Sequence, residues 1–199
     1  MQTILDLSHI KARKYMMESE NYCNLGLPKH IGFQKVLDFV QKNVGNKELD
    51  DIIVNDKPSM FEGLNHKVQV KKDARYTYRT FQLANPYLYY LLVKKITNKS
   101  AWEEIKKRFK KFSDSHIEVT SIPKVKTETY KSHQAAAVFS WWDGVEQSSL
   151  ELALQYRYMF VTDITNCYPS MYTHSIAWAM MGKQQAKLKK GKKDFLAIS

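Results

Sequence analysis

An aspartate at the end of an apolar run, Asp163, is the residue whose position in this sequence first suggests chemistry. The run before it, residues 158–161, consists of Tyr, Met, Phe and Val, which favour strands, whereas strands avoid aspartate. We therefore predict a buried strand that ends in a carboxylate. Two roles fit that position: Asp163 caps the turn that follows, or it binds a positive group such as a metal ion.

Basic residues suggest a second kind of chemistry, the binding of phosphate groups. Residues 67–83 alternate between apolar and basic side chains, which predicts a hairpin with one strongly cationic side. Guanidinium groups match phosphate oxygens in a bidentate way, so a triphosphate is a suitable ligand for this surface. The cations that could bind it are Lys71, Lys72, Arg75 and Arg79.

A second basic cluster lies in a predicted helix that begins near Ser100, with Glu103 at capping-box spacing. Its cations are expected to bind a nucleic-acid backbone in a salt-sensitive way and without choice of sequence. These cations are Lys106, Lys107, Arg108, Lys110 and Lys111. The lysine-rich residues 182–193 predict another exposed cationic segment.

The composition favours a globular protein that contacts polyanions. The chain has 31 Lys and Arg against 20 Asp and Glu, a formal net charge of +11. Nucleic acid is the expected partner, although an anionic membrane surface shares the same electrostatic logic. No run approaches the roughly 18 apolar residues of a membrane span, and the N-terminus has no apolar signal core, so we predict a cytoplasmic protein without membrane contact. The 13% aromatic content fits either base stacking or a large ordinary core.

The remaining segments are expected to position these residues. A helix is predicted over residues 8–20 and another from Phe33 to Gly45, where apolar residues repeat at helical spacing. Pro86 is expected to open a hydrophobic helix, because the residue before proline disfavours helical geometry. Farther along the chain we predict a strandlike stretch over residues 116–125 and a helix that contains residues 145–153.

The residues after Asp163 predict a helix whose first turn contains Pro169 and which ends near Gly182. His174, Trp178 and Met181 share one face of this helix. For His174 we predict a packing role or a hydrogen bond, because no nucleophile and no metal-ligand spacing surrounds it.

Residues 158–183, YMFVTDITNCYPSMYTHSIAWAMMGK, resemble motif A in the palm of reverse transcriptases. Two earlier stretches resemble the same family and occur in the family's order: ARKYMMESENYCNLGLPKHIGFQKVL and YRTFQLANPYLYYLLVKKIT. The three together resemble the bacterial abortive-infection (Abi) reverse transcriptases used in phage defence. Thr80 stands where this family usually has proline, and we expect from it only a local change in backbone stiffness.

The resemblance implies an α+β fold in three regions. Residues 1–45 would form an N-terminal helical region, residues 46–155 the fingers, and residues 156–199 the start of a palm with an incomplete sheet. It also implies an RNA-directed DNA polymerase that uses Mg²⁺ or Mn²⁺ to add deoxynucleotides. The implied partners are DNA or RNA and deoxynucleoside triphosphates. A homo-oligomer, and a separate chain that supplies the rest of the palm, stay open.

The resemblance also assigns roles to residues. Asp163 would be the catalytic metal ligand, and the carbonyl of Ile164 could add an oxygen. Tyr168 would lie beneath the sugar of the incoming nucleotide and exclude a 2′-hydroxyl, whereas the residues alone favour a core tyrosine at the start of a helix. Arg79 is the first choice for the triphosphate because it lies within the matched finger segment.

Nucleotide addition uses two metal ions about 3.5–4 Å apart, and one aspartate cannot hold both. The family's second palm motif, with its Asp-Asp pair, would lie beyond Ser199, and Asp194 lies among lysines where we expect a solvated side chain. We therefore expect that the chain cannot polymerise alone. Two other interpretations stay open: a nonenzymatic, basic nucleic-acid-binding module with Asp163 as a turn residue, or a partly unfolded truncation whose palm strand lacks partners.

Overall fold

The fold is α+β, as predicted, and the part of the chain that the structure describes contains helices and a two-stranded antiparallel sheet. The computed structural model describes residues 2–25, 27–28, 30–45, 47, 63–71, 77–164 and 167–188. No helix in these ranges is both long and apolar enough to cross a membrane. After a 3-10 turn at Ile4–Asp6, the elements are α1 His9–Met16, α2 Ser19–Tyr22, α3 Gln34–Val44, β1 His66–Lys71, β2 Tyr78–Leu83, α4 Pro86–Ile96, α5 Lys99–Ser113, α6 His133–Gln155, α7 Cys167–Ser170, α8 His174–Met181 and α9 Lys183–Leu188.

The chain divides into two compact units, Ile10–Thr97 and Met1–His9 with Asn98–Ser199. We call the first the hairpin unit. Its core lies where α3 packs against α4, and α3 ends at Gly45, as predicted. The core residues are Met17, Leu37, Val40, Val44, Tyr90, Leu91 and Val93. Burial of this apolar face, rather than helix propensity, stabilises helices of such length.

The predicted hairpin is formed by β1 and β2, and the helix after it begins at Pro86, as expected. Asn65 and Asn85 join the two elements: the Asn65 side chain accepts a hydrogen bond from the Asn85 backbone N–H at 3.0 Å. The Asn85 side chain in turn caps α4 by accepting from the Tyr87 N–H at 2.9 Å. These bonds satisfy backbone donors that neither the strand nor the helix can pair.

Tyr89 ties the hairpin unit together and makes its stability depend on pH. The Tyr89 hydroxyl donates to the Met16 carbonyl at 2.6 Å, and burial raises its pKa from 10.0 to about 12. Between pH 10 and about pH 12 the unfolded chain loses the hydroxyl proton of Tyr89, while the folded chain retains it. The stabilisation that Tyr89 contributes is therefore complete below pH 10 and is lost as the pH rises through about 12.

We therefore expect the urea midpoint to fall between pH 10 and pH 12, and to fall less steeply in Tyr89→Phe than in the parent protein. Tyr78→Phe, which changes an exposed tyrosine of the same unit, is the matched control and should retain the parent slope. Equal slopes for Tyr89→Phe and the parent would refute the role of Tyr89.

The second unit, Met1–His9 with Asn98–Ser199, contains the long helix α6, and we call it the long-helix unit. The N-terminal residues pair with the segment before α6: the Ile4 N–H donates to Pro123 at 2.9 Å, and Thr3 forms a bridge with Lys124. Trp102 of α5 is 2% exposed, and its indole N–H donates to the Leu7 carbonyl at 2.9 Å. This side chain therefore fastens the N-terminus to α5.

Gly144 lets α6 approach the segment that contains Thr120. A Cβ built on Gly144 would lie 2.8 Å from the Thr120 Cγ2 atom, closer than packed carbon atoms approach. We expect Gly144→Ala to destabilise the unit by about 1 kcal/mol, because overpacking outweighs the helix propensity that alanine adds. In a Thr120→Ala background the penalty should vanish, as a double-mutant cycle of denaturation free energies would show. An additive cycle would contradict this contact.

Some predicted helix boundaries were wrong, and at α5 the reason is that a neighbouring residue makes the better cap. Asn98, and not Ser100, caps α5: its side chain accepts from the Ser100 N–H at 3.1 Å. Glu103 therefore does not close a capping box and instead pairs with Lys106 at 2.8 Å. The helix predicted over residues 8–20 is divided into α1 and α2, and Glu18 occupies the N-cap position of α2 without a capping hydrogen bond to its side chain.

Two predicted strands are not formed. Residues 158–161 are non-helical and exposed, and Phe160 is 90% exposed. In residues 116–125 the only β pairing is the isolated bridge between Lys124 and Thr3. The physical reason is that a strand needs a hydrogen-bonding neighbour, and in the described part of the chain β1 and β2 pair only with each other. Strand propensity alone does not bury an apolar run.

Candidate functional site

Asp163 lies in an exposed, non-helical segment and not at the tip of a buried strand. Its Oδ1 atom accepts a hydrogen bond from the N–H of Ile164, the next residue, at 2.8 Å, which is a local contact between a side chain and the backbone. The carboxylate is open to solvent and to ligands. From residue 157 to residue 193 the sequence has no other acid, so neighbouring residues add no second carboxylate.

A single carboxylate fits one kind of metal site. Mg²⁺ binds through one or two carboxylates when the phosphates of a nucleotide supply further oxygens. Asp163 and the exposed Ile164 therefore suit a Mg²⁺ ion that arrives with a triphosphate, and they do not suffice for the two ions of a complete polymerase centre.

Tyr168 lies in the short helix α7, which also contains Pro169. The predicted contact of its ring with a sugar concerns a side chain outside the described part of the structure. The predicted helix end at Gly182 is confirmed: Gly182 has φ of 82°, and its N–H donates to the Trp178 carbonyl at 2.8 Å. The helix itself starts later than expected, at His174, because residues 171–173 turn between α7 and α8.

The hairpin register separates two of the predicted phosphate ligands. Arg79 pairs with Val70, and Lys71 pairs with Tyr78, one position along the ladder. Because successive residues of a strand point to opposite faces, Arg79 and Lys71 lie on opposite faces of the hairpin. Arg79 shares its face with the half-buried Phe81, and both cations are exposed. Lys72 and Arg75 lie outside the described residues.

The cations of α5 fall into two groups. Lys106 pairs with Glu103 at 2.8 Å, and the Arg108 Nε atom lies 3.3 Å from a Glu104 oxygen. The other group is exposed and has no ion-pair partner among the described residues: Lys107, Lys110 and Lys111. These lysines lie opposite the apolar side of α5 that contains Trp102, so the helix presents a cationic face to solvent.

A group of aromatic side chains at the start of α8 was missed by the sequence reasoning. The rings of Tyr172 and His174 stack with centroids 4.8 Å apart and an interplanar angle of 14°. The Trp178 ring lies 5.5 Å from Tyr172, and the Lys183 ammonium lies 5.1 Å from the Trp178 centroid. The sequence YTHSIAW contains a signal for this group, since its aromatic residues lie on both sides of the helix start. The packing role predicted for His174 agrees with this stack.

Comparison with known proteins leaves the family open. The chain matches no family model, and no curated protein matches it.

Proposed function

We propose that this chain serves a template-directed nucleotidyltransferase, in which Asp163 binds the divalent ion of an incoming deoxynucleoside triphosphate. More narrowly, the proposal is an RNA-directed DNA polymerase of the abortive-infection reverse transcriptase type, acting in the bacterial cytoplasm. Its main support is the order of the three matched stretches, which begin at Ala12, Tyr78 and Tyr158 and run through the hairpin unit into the segment of Asp163. One match of this kind would be weak support for the family, whereas three matches in the family's order are much more specific.

In this proposal the roles of the residues are those that the resemblance implies. Asp163 and Ile164 offer oxygen ligands to Mg²⁺ or Mn²⁺, and Arg79 offers a guanidinium to the phosphates. Tyr168 selects the deoxyribose. The exposed lysines of α5 bind the nucleic-acid backbone. When bound, the metal ion would activate the attacking hydroxyl and neutralise charge on the phosphate.

The proposal is tested by the affinity for a deoxynucleoside triphosphate with and without Mg²⁺. We expect Mg²⁺ to strengthen binding, and Asp163→Asn to remove that increase, since the amide oxygen retains the hydrogen bond to Ile164 but loses the charge. Asp143→Asn removes an exposed carboxylate of α6 and is the matched control. If both variants respond to Mg²⁺ like the parent, the polymerase proposal fails.

A nonenzymatic nucleic-acid-binding module is the second candidate, and the cationic face of α5 favours it. It predicts binding that weakens steeply with salt, ignores Mg²⁺ and survives Asp163→Asn. The hydrogen bond from the Ile164 N–H to Asp163 is a local contact, and in this candidate the carboxylate has only that structural role. Equal Mg²⁺-independent nucleic-acid affinities of the parent and Asp163→Asn, with no metal-dependent triphosphate binding, would support it.

A further inference from the structure

The stack of Tyr172 on His174 is fixed by the first turn of α8. The Ser175 N–H donates to the Tyr172 carbonyl at 2.9 Å, and the Ser175 hydroxyl donates to the same oxygen at 2.6 Å. His174 is half-buried beside the Tyr172 ring. The two bonds order the Tyr172 backbone, and the rings of His174 and Trp178 restrict its side chain before any ligand arrives, which lowers the entropic cost of binding.

The Tyr172 side chain is nevertheless 57% exposed. The ring stacks on the imidazole of His174 and lies 5.5 Å from the Trp178 ring, yet more than half of the residue remains accessible to solvent. Ordinary core packing would cover both faces. An exposed and fixed aromatic face is the surface on which a nucleic-acid base stacks, and every base offers a π-face to it.

Exposed cations lie on the elements that neighbour this ring. Lys183 lies over Trp178, Lys187 is exposed one turn farther along α9, and α8 packs against α5, which has the cationic face. Residues 164–188 include no acid. A cationic surface beside a stacking ring is the combination by which proteins bind single strands without choice of sequence.

We propose that Tyr172, supported by His174, is a stacking site for a base of single-stranded nucleic acid, and that the exposed lysines of α5 and α9 bind the flanking phosphates. The inference extends the proposed function, since it depends on a nucleic-acid partner, but it requires neither metal nor nucleotide addition. It assigns to the segment after Asp163 a strand-binding role that is separate from the carboxylate.

Fluorescence anisotropy in EDTA tests this inference. The probes are a short labelled oligothymidylate and an abasic oligonucleotide of equal length and charge, and an oligouridylate separates DNA from RNA as the bound strand.

We expect Tyr172→Ala to weaken oligothymidylate or oligouridylate binding roughly 5- to 150-fold, the effect of one lost stack, and to leave abasic binding unchanged. Tyr172→Phe should bind like the parent. Tyr156→Ala, which removes a tyrosine that is 64% exposed in the same unit, is the matched control and should have no effect.

The double variant Lys110→Gln with Lys111→Gln should weaken all probes, abasic included. The inference is overturned if Tyr172→Ala binds like Tyr156→Ala, if it loses abasic binding equally, or if the parent binds no oligonucleotide. A loss with the lysine variant alone would overturn the stacking site and leave nucleic-acid binding intact. A loss with Tyr172→Ala, combined with Mg²⁺-independent triphosphate binding, would support the stacking site and reject the polymerase.

Discussion

Trp102→Ala is expected to lower the free energy of unfolding of the long-helix unit by about 3–5 kcal/mol. Trp102 is 2% exposed, so its removal leaves a large cavity, and it also leaves the Leu7 carbonyl without its indole donor. Urea denaturation followed by far-ultraviolet circular dichroism measures the loss. Trp102→Phe retains much of the side-chain volume but not the indole donor, so it should lower the free energy of unfolding by less than Trp102→Ala does.

Trp142→Ala is the matched control for this experiment. Trp142 lies on α6 in the same unit, is 59% exposed, and contacts the ring of Trp141. A surface substitution of this kind should change stability by about 0.5 kcal/mol or less. If Trp102→Ala costs no more than Trp142→Ala, the indole does not fasten the N-terminus to α5.

Arg13→Ala is expected to destabilise the hairpin unit by roughly 2–3 kcal/mol. The Arg13 Nε atom donates to the Thr97 hydroxyl at 2.8 Å, and its terminal nitrogen donates to the carbonyls of Thr97 and Lys94 at 3.3 and 3.4 Å. Thr97 is fully buried, so the end of α4 would lose partners that water cannot replace. The guanidinium also places positive charge at the helix C-terminus, where the dipole favours it.

Denaturant midpoints of two further variants show whether the hydrogen-bonding geometry of Arg13 or its positive charge stabilises the end of α4. Arg13→Lys retains the charge but not the planar fork of donors, so it should fall between Arg13→Ala and the parent. Lys14→Ala changes an exposed cation of the same helix and should have little effect. A loss in Arg13→Ala no larger than in Lys14→Ala would contradict the capping role.

Local sequence signals predicted the parts of the fold that local physics determines. Alternation of apolar and basic residues predicted the hairpin, Pro86 predicted the start of α4, and Gly182 predicted the end of α8. In each case the residue type restricts the backbone directly, through period, a missing N–H or a positive φ. These predictions required no knowledge of the neighbouring chain.

Interactions between distant residues could not be predicted in this way. The bonds from Arg13 to Thr97 and from Trp102 to Leu7 join residues 84 and 95 positions apart, and no local pattern encodes them. The strand predicted before Asp163 failed for the same reason, since its existence depends on a partner strand and not on its own residues. Among the candidate site residues, Arg79 and Lys71 were expected together, and only the register of the ladder showed that they lie on opposite faces.

Paramagnetic broadening by Mn²⁺ is the most direct test of the proposed binding of a divalent ion by Asp163. In ¹⁵N spectra recorded with a deoxynucleoside triphosphate, Mn²⁺ should broaden the amide signal of Ile164 at a lower concentration than the other amide signals. This broadening is detectable even when the ion binds weakly. Asp163→Asn should abolish it. Metal binding by Asp163 is contradicted if Ile164 retains its signal while the amides near Asp143 broaden, or if the Ile164 signal of Asp163→Asn broadens like that of the parent.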